Sequence, residues 1–355
     1  MVDALPRADA ERFHRIYDVI EAAGRMRVPD SMAPWVERTF GPVEAVENQR
    51  IVRVANLVTG EAAIFNDLRA RRPVRAELAA DAELDAELAR DPWARPREST
   101  PEDLFGRIES PFAITAANVA KYDALHSLLI FSEPNPLRFT RDSVRGCVRL
   151  ANQWFDAARW TDPEAVYPFF LWNCLWRSGG SIIHGHAQVQ LARGRHYAKI
   201  EALHAAAGRY RATHGSDYFD DLAAVHESLG LAAGGHGFRV VVSLTPVKEK
   251  EVVILAPEFG DALADALYDA LAVFRDDLGV RSFNVGALLP PLAPSSEPVE
   301  EWTAFPVVVR VVDRGNLATR TSDIGAMELF AEPVVASDPF AVARALQAAQ
   351  QPKGS

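Results

Sequence analysis

The sequence has 355 residues, a formal net charge of −10 and 48% hydrophobic residues, which is the composition of an ordinary soluble globular protein of one large or two smaller domains. The acidic balance, without a basic run interleaved with aromatic residues, argues against a nucleic-acid-binding surface. A long apolar run and a signal peptide are both lacking, and the only two cysteines indicate a reducing compartment, so we expect a cytoplasmic protein that binds neither nucleic acid nor membrane.

The N-terminal region predicts a helix followed by a pair of strands. Residues 8–24 carry apolar side chains at helical spacing, namely Phe13, Ile16, Tyr17 and Ile20. Residues 50–65 read as two strands around a turn at Thr59-Gly60. Arginines then cluster between Arg69 and Arg72, where guanidinium groups suit a phosphate because they pair with its oxygens in bidentate fashion. The alternative is a solvated basic turn.

The next region predicts an antiparallel sheet with one helix packed on it. Residues 76–108 indicate an acidic helix and a loop, and residues 112–119 and 125–131 indicate two strands. His126 interrupts an apolar strand, and we expect it to be a hydrogen-bonded core histidine. A helix follows with Thr140 as its cap, and residues 167–173 form a further strand.

The most informative stretch runs from Asn173 to Gln188. Its loop holds Gly179, Gly180 and Ser181, residue types that often hold phosphate oxygens. In the strand that follows, period two places His184, His186 and Gln188 on one face, although the apolar neighbours predict burial. Buried polar groups need partners, so this face is expected to line a pocket. A neutral imidazole there can act as nucleophile, base or metal ligand; a metal pair or a satisfied polar cluster is the alternative.

The second half of the chain repeats this pattern without the histidines. A polar, helical connection leads to about Gly237, and its scattered histidines lack metal-ligand spacing. Strands at 238–244 and 251–256, a helix at 263–278 and a strand at 305–312 follow, the last with Arg310 as scaffold. The sequence therefore predicts an α+β fold of two tandem half-domains, residues 1–195 and 196–355, each a curved antiparallel sheet backed by helices.

Two motifs resemble one known family. The residues Asn173, Gly179, Ser181, His184, His186 and Gln188 match in spacing the signature of the galactose-1-phosphate uridylyltransferase branch of the histidine-triad (HIT-like) superfamily. Gln188, in place of a third histidine, is similar to the transferases rather than the hydrolases of that superfamily. The run from Arg69 to Pro73 resembles the phosphate-contacting R-A-x-R-P motif of the same enzymes. The resemblance also implies two tandem half-domains.

The resemblance implies a role for each matched residue. His186 is the nucleophile, its second ring nitrogen oriented by the His184 backbone carbonyl, and Gln188 donates to a non-bridging phosphate oxygen. Ser181 and the amides of Gly179 and Gly180 hold charge on the diphosphate. The remaining expected substrate contacts are Arg69, Arg72, Asn118, Asn173 and Glu328. Glu328 belongs to a segment resembling the sugar-contacting one, but other positions there differ from the family, so the hexose site has changed.

The resemblance also bears on metals. Many family members bind a structural zinc ion with a Cys-x-x-Cys pair in the segment that corresponds to Asp91–Pro96 and with a histidine at the position of Asn135. This sequence has neither. We therefore expect no metal and no cofactor.

The resulting hypothesis is a nucleotidyltransferase. It would move a nucleoside monophosphate between a nucleoside diphosphate sugar and a sugar 1-phosphate through a covalent nucleotidyl-histidine, with ping-pong kinetics. The family implies a homodimer. One alternative is a nucleoside-diphosphate-sugar or dinucleotide phosphorylase that uses phosphate as acceptor. Another is a non-catalytic protein that binds nucleotides or sugar phosphates.

Overall fold

The computed structural model describes residues 2–71, 80–292, 302–319 and 322–350. In this part of the chain the helices are α1 (Arg7–Ile16), α2 (Ala33–Phe40), α3 (Val43–Glu47), α4 (Ala80–Leu88), α5 (Pro96–Ser99), α6 (Arg141–Thr161), α7 (Ala198–His214), α8 (Tyr218–Ser228), α9 (Asp261–Asp276), α10 (Ala326–Phe330) and α11 (Pro339–Gln350). The strands are β1 (Tyr17–Arg25), β2 (Asn48–Asn56), β3 (Ala62–Phe65), β4 (Ala113–Ala117), β5 (Leu125–Phe131), β6 (Ala165–Cys174), β7 (His186–Arg193), β8 (Ala232–Gly235), β9 (Phe238–Val242), β10 (Val252–Ala256), β11 (Phe283–Leu288), β12 (Val307–Asp313) and β13 (Val334–Val335). Short 3₁₀ helices cover Val2–Ala4, Asp67–Arg71 and Trp176–Ser178.

Nine strands form one large antiparallel sheet in the order β4-β5-β7-β6-β11-β12-β10-β9-β8. The pair β6–β11 is the seam at its centre. On either side of the seam the chain repeats one pattern, as β4-β5-α6-β6-β7 and as β9-β10-α9-β11-β12, so β7 and β12 occupy equivalent places. The predicted α+β fold with two tandem halves of antiparallel strands backed by helices is confirmed. Since both halves share one sheet, the predicted boundary after residue 195 stays a prediction.

The apolar core lies between one face of this sheet and the helices α6 and α9. Side chains alternate along β6, and Phe170, Trp172 and Cys174 are fully buried in the core. The predicted cap of α6 is present. The Thr140 hydroxyl oxygen accepts from the Ser143 amide, and the Ser143 hydroxyl oxygen accepts from the Thr140 amide. Three arginines of α6 face three aspartates of α9, in the pairs Arg141–Asp269, Arg145–Asp265 and Arg149–Asp261. These pairs hold the two helices in register rather than adding much stability.

The opposite face of the large sheet carries polar side chains. A second sheet has four strands in the order β1-β2-β3-β13. The segment before its strand β3 contacts β12 on this face of the large sheet, through Glu61 and Arg310. Arg310 of β12 donates to Glu251 and to Glu61, both at 2.5 Å. Burial raises the pKa of Glu251, and the Arg310 charge only partly offsets this. The position equivalent to the histidine strand is thus an ion-pair cluster, which fits the scaffold role predicted for Arg310.

The N-terminal helix is shorter than predicted. It ends at Ile16, and Tyr17–Arg25 forms β1, which pairs antiparallel with Asn48–Asn56 over nine residues. Phe13, Ile16 and Tyr17 are buried as expected, but Ile20 is 48% exposed. The apolar spacing is compatible with a helix, but residues 17–25 form their backbone hydrogen bonds with β2 instead.

Two further observations concern predicted properties of the whole chain. None of the described helices is long and apolar enough to cross a membrane. Cys147 and Cys174 are buried free thiols, and burial raises the pKa of Cys147 to about 12. Neither thiol is in a setting that favours reactivity.

Candidate active site

A tight loop carries the chain from β6 to the histidine strand. Leu175 has a positive φ of 66° and Gly179 one of 92°. A Cβ atom on Gly180 would lie 3.0 Å from the Leu175 carbonyl oxygen, so the loop closes only around a glycine. Gly185, between the two histidines, also allows a close approach, because a Cβ atom there would lie 2.9 Å from the Phe131 ring. These close approaches place His186 as the first residue of β7.

His186 is a buried, neutral imidazole with one nitrogen held and the other available. Its Nδ1 lies 2.9 Å from the backbone oxygen of His184. A carbonyl can only accept, so Nδ1 carries the proton and Nε2 carries the lone pair. Burial lowers the pKa of His186 to about 4, an effect that the carbonyl hydrogen bond opposes and the charge of His184 reinforces. In the described part of the chain Nε2 makes no hydrogen bond. A neutral ring with an available lone pair can act at neutral pH as a nucleophile, a base or a metal ligand.

His184 precedes the strand, and its side chain is tied to two other segments. Its Nδ1 lies 2.7 Å from Asp91 Oδ2, and its Nε2 lies 2.7 Å from the backbone oxygen of Phe131. Both nitrogens face acceptors, which is the hydrogen-bond pattern of an imidazolium. The side chains of His184 and Asp91 are 6% and 9% exposed, so this is a buried ion pair. It fixes the carbonyl of His184 that orients His186.

Trp93 covers both histidines. Its ring stands edge to face with His186 at a centroid distance of 4.9 Å, and with His184 at 6.1 Å. The Trp93 amide donates to Asp91 Oδ1 at 2.8 Å, so the ion pair and the ring belong to one turn. The indole also packs against Ala116, Leu128 and Ile130. Trp93 therefore contributes to the burial that keeps His186 neutral.

Gln188 lies on the same face of β7 as His186, with its amide held by β5. Gln188 Oε1 lies 2.8 Å from His126 Nε2, and His126 Nδ1 accepts from the Tyr122 amide at 2.9 Å. His126 is fully buried, as predicted for a core histidine, and it stacks on the Tyr122 ring at 4.6 Å. Asn118, at the end of β4, lies 3.2 Å from the same nitrogen through Nδ2. The structure thus brings Asn118 and Gln188 together.

Asn173 lies near the end of β6 and is held in a similar way. Its Oδ1 accepts from Asn284 Nδ2 at 2.6 Å, and the same Asn284 amide donates to the Ser178 backbone oxygen at 2.9 Å. Asn284 in turn accepts from Arg314, which forms a bidentate pair with Asp323 at 2.9 and 3.0 Å. With Oδ1 occupied, the NH₂ group of Asn173 is the part that remains for a ligand.

The amides of Gly179 and Gly180, predicted to hold phosphate charge, donate to backbone oxygens of their own loop. The Gly179 amide donates to the Trp176 oxygen at 3.1 Å, and the Gly180 amide donates to the Leu175 oxygen at 3.2 Å. The loop consumes these donors to close its own turn, so they do not face a phosphate. Ser181 is exposed, and its hydroxyl makes no hydrogen bond within the described residues.

Neither Arg69 nor Glu328 is hydrogen-bonded to the residues described above. Arg69 is exposed in the 3₁₀ helix after β3 and makes no hydrogen bond or ion pair to the residues above, as far as the structure describes the chain. Arg72 lies outside the described residues. Glu328 caps α10 by accepting from the Gly325 amide at 2.9 Å. Burial raises the pKa of Glu328, but backbone hydrogen bonds and the Lys248 charge outweigh it and hold the pKa below its usual value.

The side chains around His184 do not fit a zinc site. Zinc binds the lone pair of a neutral histidine nitrogen, whereas both nitrogens of His184 face hydrogen-bond acceptors. Asn135 Oδ1 accepts from the Leu137 amide at 3.0 Å. Within the described ranges no group of three or more His, Cys, Asp or Glu residues is placed to hold a metal ion.

Sequence reasoning missed three residues of the site: Asp91, Trp93 and Asn284. Asp91 and Trp93 lie in the segment where the family resemblance predicts a pair of cysteines. A carboxylate and an aromatic ring flanking a proline were the available signal there. Asn284 is the one polar residue of β11 and pairs with Asn173 of β6. The sequence pattern does not predict β11.

Solved structures share this fold at low sequence identity. An ADP-glucose phosphorylase from Arabidopsis thaliana with bound ADP-glucose has a TM-score of 0.59 at 15% identity, over 82% of this chain and 96% of that one. A structure described as a uridylyltransferase has a TM-score of 0.56 at 14% identity, over 84% and 98%. A GalT-like protein from Arabidopsis thaliana has a TM-score of 0.56 at 14% identity, over 72% and 89%.

Sequence comparison gives no such match. No family model matches the chain, and no curated protein is significantly similar to it. The likeness to the solved structures therefore lies in the fold. The chain has the fold that the ADP-glucose phosphorylase and the uridylyltransferase structures share.

Proposed function

We propose that this protein is a nucleotidyltransferase that moves a nucleoside monophosphate between a nucleoside diphosphate sugar and a sugar 1-phosphate through a covalent intermediate on His186. The observation that carries this proposal is the state of His186: buried, neutral, its Nδ1 proton held by the His184 carbonyl and its Nε2 lone pair available. Buried His226 also holds Nδ1 on a backbone carbonyl and leaves Nε2 without a partner in the described chain, so what sets His186 apart is that Gln188 lies beside it on the same face of β7.

The reaction consists of two in-line steps. In the first, His186 Nε2 forms a bond to the α-phosphorus of the donor while the bond to the bridging oxygen breaks and its electron pair leaves with the sugar 1-phosphate. The imidazole ring becomes positive as the N–P bond forms, and the Nδ1–H bond to the His184 carbonyl stabilises this charge. In the second step, a phosphate oxygen of the acceptor attacks the same phosphorus and the pair of electrons returns to Nε2. The ring is neutral again.

The two side-chain amides beside His186 suit the phosphate. Gln188 and Asn173 each have their oxygen bonded to another side chain, so their NH₂ groups can donate to the non-bridging oxygens. Ser181 and the exposed Arg69, with Arg72, are proposed contacts of the departing or incoming phosphate; Asn118 is a proposed contact of the nucleotide. Glu328 is a proposed sugar contact, and Gly179 and Gly180 serve by shaping the loop.

We propose that the site works without a metal. The Asp91–His184 ion pair supports this, because it holds the segment before β4 against β7 through hydrogen bonds alone. The homodimer that the family resemblance implies is also a proposal, and sedimentation equilibrium of the full chain tests it directly.

A second candidate is a phosphorylase, in which inorganic phosphate is the acceptor. The observation that favours it is the ADP-glucose phosphorylase among the structures of this fold. The first half-reaction on His186 is the same in both candidates. They differ only in which phosphate takes the nucleotide from the histidine.

Intact-protein mass spectrometry tests both candidates. The full chain is incubated briefly with a panel of nucleoside diphosphate sugars and dinucleotides, beside His186→Ala and, as a matched control, His196→Ala, which removes a buried histidine elsewhere. We expect a mass gain of one nucleotide in the native chain and the control, absent from His186→Ala. Adding sugar 1-phosphates or inorganic phosphate then shows which acceptor removes it. Binding without an adduct from any donor would contradict both candidates and favour a non-catalytic binding protein.

A further inference from the structure

The orientation of Gln188 depends on a residue outside the motif. An amide presents an oxygen on one side and an NH₂ group on the other, and only the NH₂ group can donate to a phosphate oxygen. Gln188 is 8% exposed, so the groups around it decide which side faces the ligand. Its oxygen is hydrogen-bonded to His126 Nε2 at 2.8 Å.

The Tyr122 backbone determines the tautomer of His126. Its amide lies 2.9 Å from His126 Nδ1, and a backbone amide can only donate, so Nδ1 accepts. The proton of the neutral ring is then on Nε2. This argument uses a backbone group, whose chemistry is fixed, and not the assigned orientation of either side-chain amide.

A protonated Nε2 can be satisfied only by an acceptor. If Gln188 were turned over, its NH₂ group would face the His126 N–H and both donors would be buried without a partner. Asn118 Nδ2 lies 3.2 Å from the same nitrogen, but its oxygen is already bonded to the Ala120 amide at 3.0 Å and cannot replace Gln188. Gln188 is thereby held in one of its two orientations.

We propose that His126 is a positioning residue, which holds the Gln188 oxygen so that the Gln188 NH₂ group faces the phosphate at His186. This inference rests on the proposed function and deepens it, since it assigns a residue of β5 to the chemistry on β7. His126 does not touch the substrate. Its effect on the reaction passes through Gln188.

A double-mutant cycle tests this route. The rate of nucleotide-adduct formation is measured in a single turnover for His126→Phe, Gln188→Ala and the double variant. We expect His126→Phe to slow the reaction about tenfold, the effect of losing one well-oriented neutral hydrogen bond. In the Gln188→Ala background the same change should slow it less than about twofold. An equal loss in both backgrounds, or no loss in the first, would overturn the proposal.

Two variants separate positioning from packing. His126→Gln keeps a donor near the position of Nε2, and we expect it to restore the rate to within about twofold of the native chain. His196→Phe is the matched control: His196 is also buried, accepts from a backbone amide at 2.9 Å and donates to a carbonyl at 2.8 Å, but it does not contact Gln188. We expect it to leave the rate unchanged. A similar loss in His196→Phe would show that any buried histidine matters.

A nucleotide-free measurement keeps this inference distinct from the proposed function. Nitrogen NMR of the histidine-labelled native chain reports which ring nitrogen of His126 carries the proton, assigned by its absence from His126→Gln. We expect the proton on Nε2 whether or not any donor forms an adduct. A proton on Nδ1 would overturn the positioning role even if the transferase reaction were established. An Nε2 proton without any adduct would refute the transferase alone.

Discussion

The reaction on His186 should be insensitive to mild acid. Burial lowers the pKa of His186 to about 4, so the nucleophilic neutral form persists to lower pH than in an exposed histidine. With that pKa about 97% of the residue is neutral at pH 5.5, whereas a histidine with the ordinary pKa of about 6.5 would be about 9% neutral. We therefore expect the adduct-formation rate to change less than about 1.5-fold between pH 7.5 and 5.5, against about tenfold for an unshifted histidine.

The assay is quenched single-turnover adduct formation, followed by intact mass at each pH, with circular dichroism to show that the chain stays folded. Trp93→Ala is the informative variant. It removes the ring that stands 4.9 Å from His186, lets water approach and should raise the pKa of His186 towards its ordinary value. The variant should therefore lose rate between pH 7.5 and 5.5 where the native chain does not. A native rate that falls tenfold with a midpoint near 6.5 would refute the argument that burial keeps the nucleophile neutral.

Three further predictions concern stability in urea. Asp91→Ala should lower the free energy of unfolding by about 3–5 kcal/mol, because it leaves His184 buried without its partner; Glu98→Ala, in an exposed pair, is the control and should change it by less than about 1 kcal/mol. Burial lowers the pKa of His226 to about 4 in the folded chain. As the pH falls below the ordinary histidine pKa of about 6.5, His226 is therefore protonated in the unfolded chain before it is protonated in the folded chain. His226 thus removes about 2 kcal/mol between pH 7.5 and 5, a loss that His226→Leu should abolish; equal pH dependence in both chains would contradict this. Gly146→Ala should destabilise by about 1–2 kcal/mol, because its Cβ would lie 2.3 Å from the Phe112 ring, whereas Gly208→Ala, in open space on α7, should stabilise; the opposite order would be inconsistent with this packing.

Local patterns predicted the parts of the site that local structure creates. His186 and Gln188 share a face because they are two residues apart on a strand, and Asn173 lies near the end of the strand that leads into the loop. The groups that fix their chemistry come from far away in the chain. Asp91 lies 93 residues before His184, and Asn284 lies 111 residues after Asn173. A single sequence carries no signal for such pairings.

Two sequence patterns are each compatible with more than one local structure. The apolar spacing of residues 8–24 fits a helix, but the strand β2 was present to pair with residues 17–25. The glycine loop has the composition of a phosphate-binding loop, but its own carbonyls take the amides of Gly179 and Gly180. In both cases hydrogen bonds between strands or within a turn determine the structure, and residue composition does not show which backbone groups will form them.

The seam between β6 and β11 has a consequence for how the protein is made. Strand β6, which carries Asn173, and the histidine strand β7 are both synthesised before residue 200, but the second edge of β6 pairs only with Phe283–Leu288. Until those residues leave the ribosome, β6 exposes an unpaired edge, and Asn173 lacks the side chain that turns its amide. The half that carries the histidine strand is thus completed by the other half, and a truncation before residue 283 should give an aggregating product rather than a smaller folded protein.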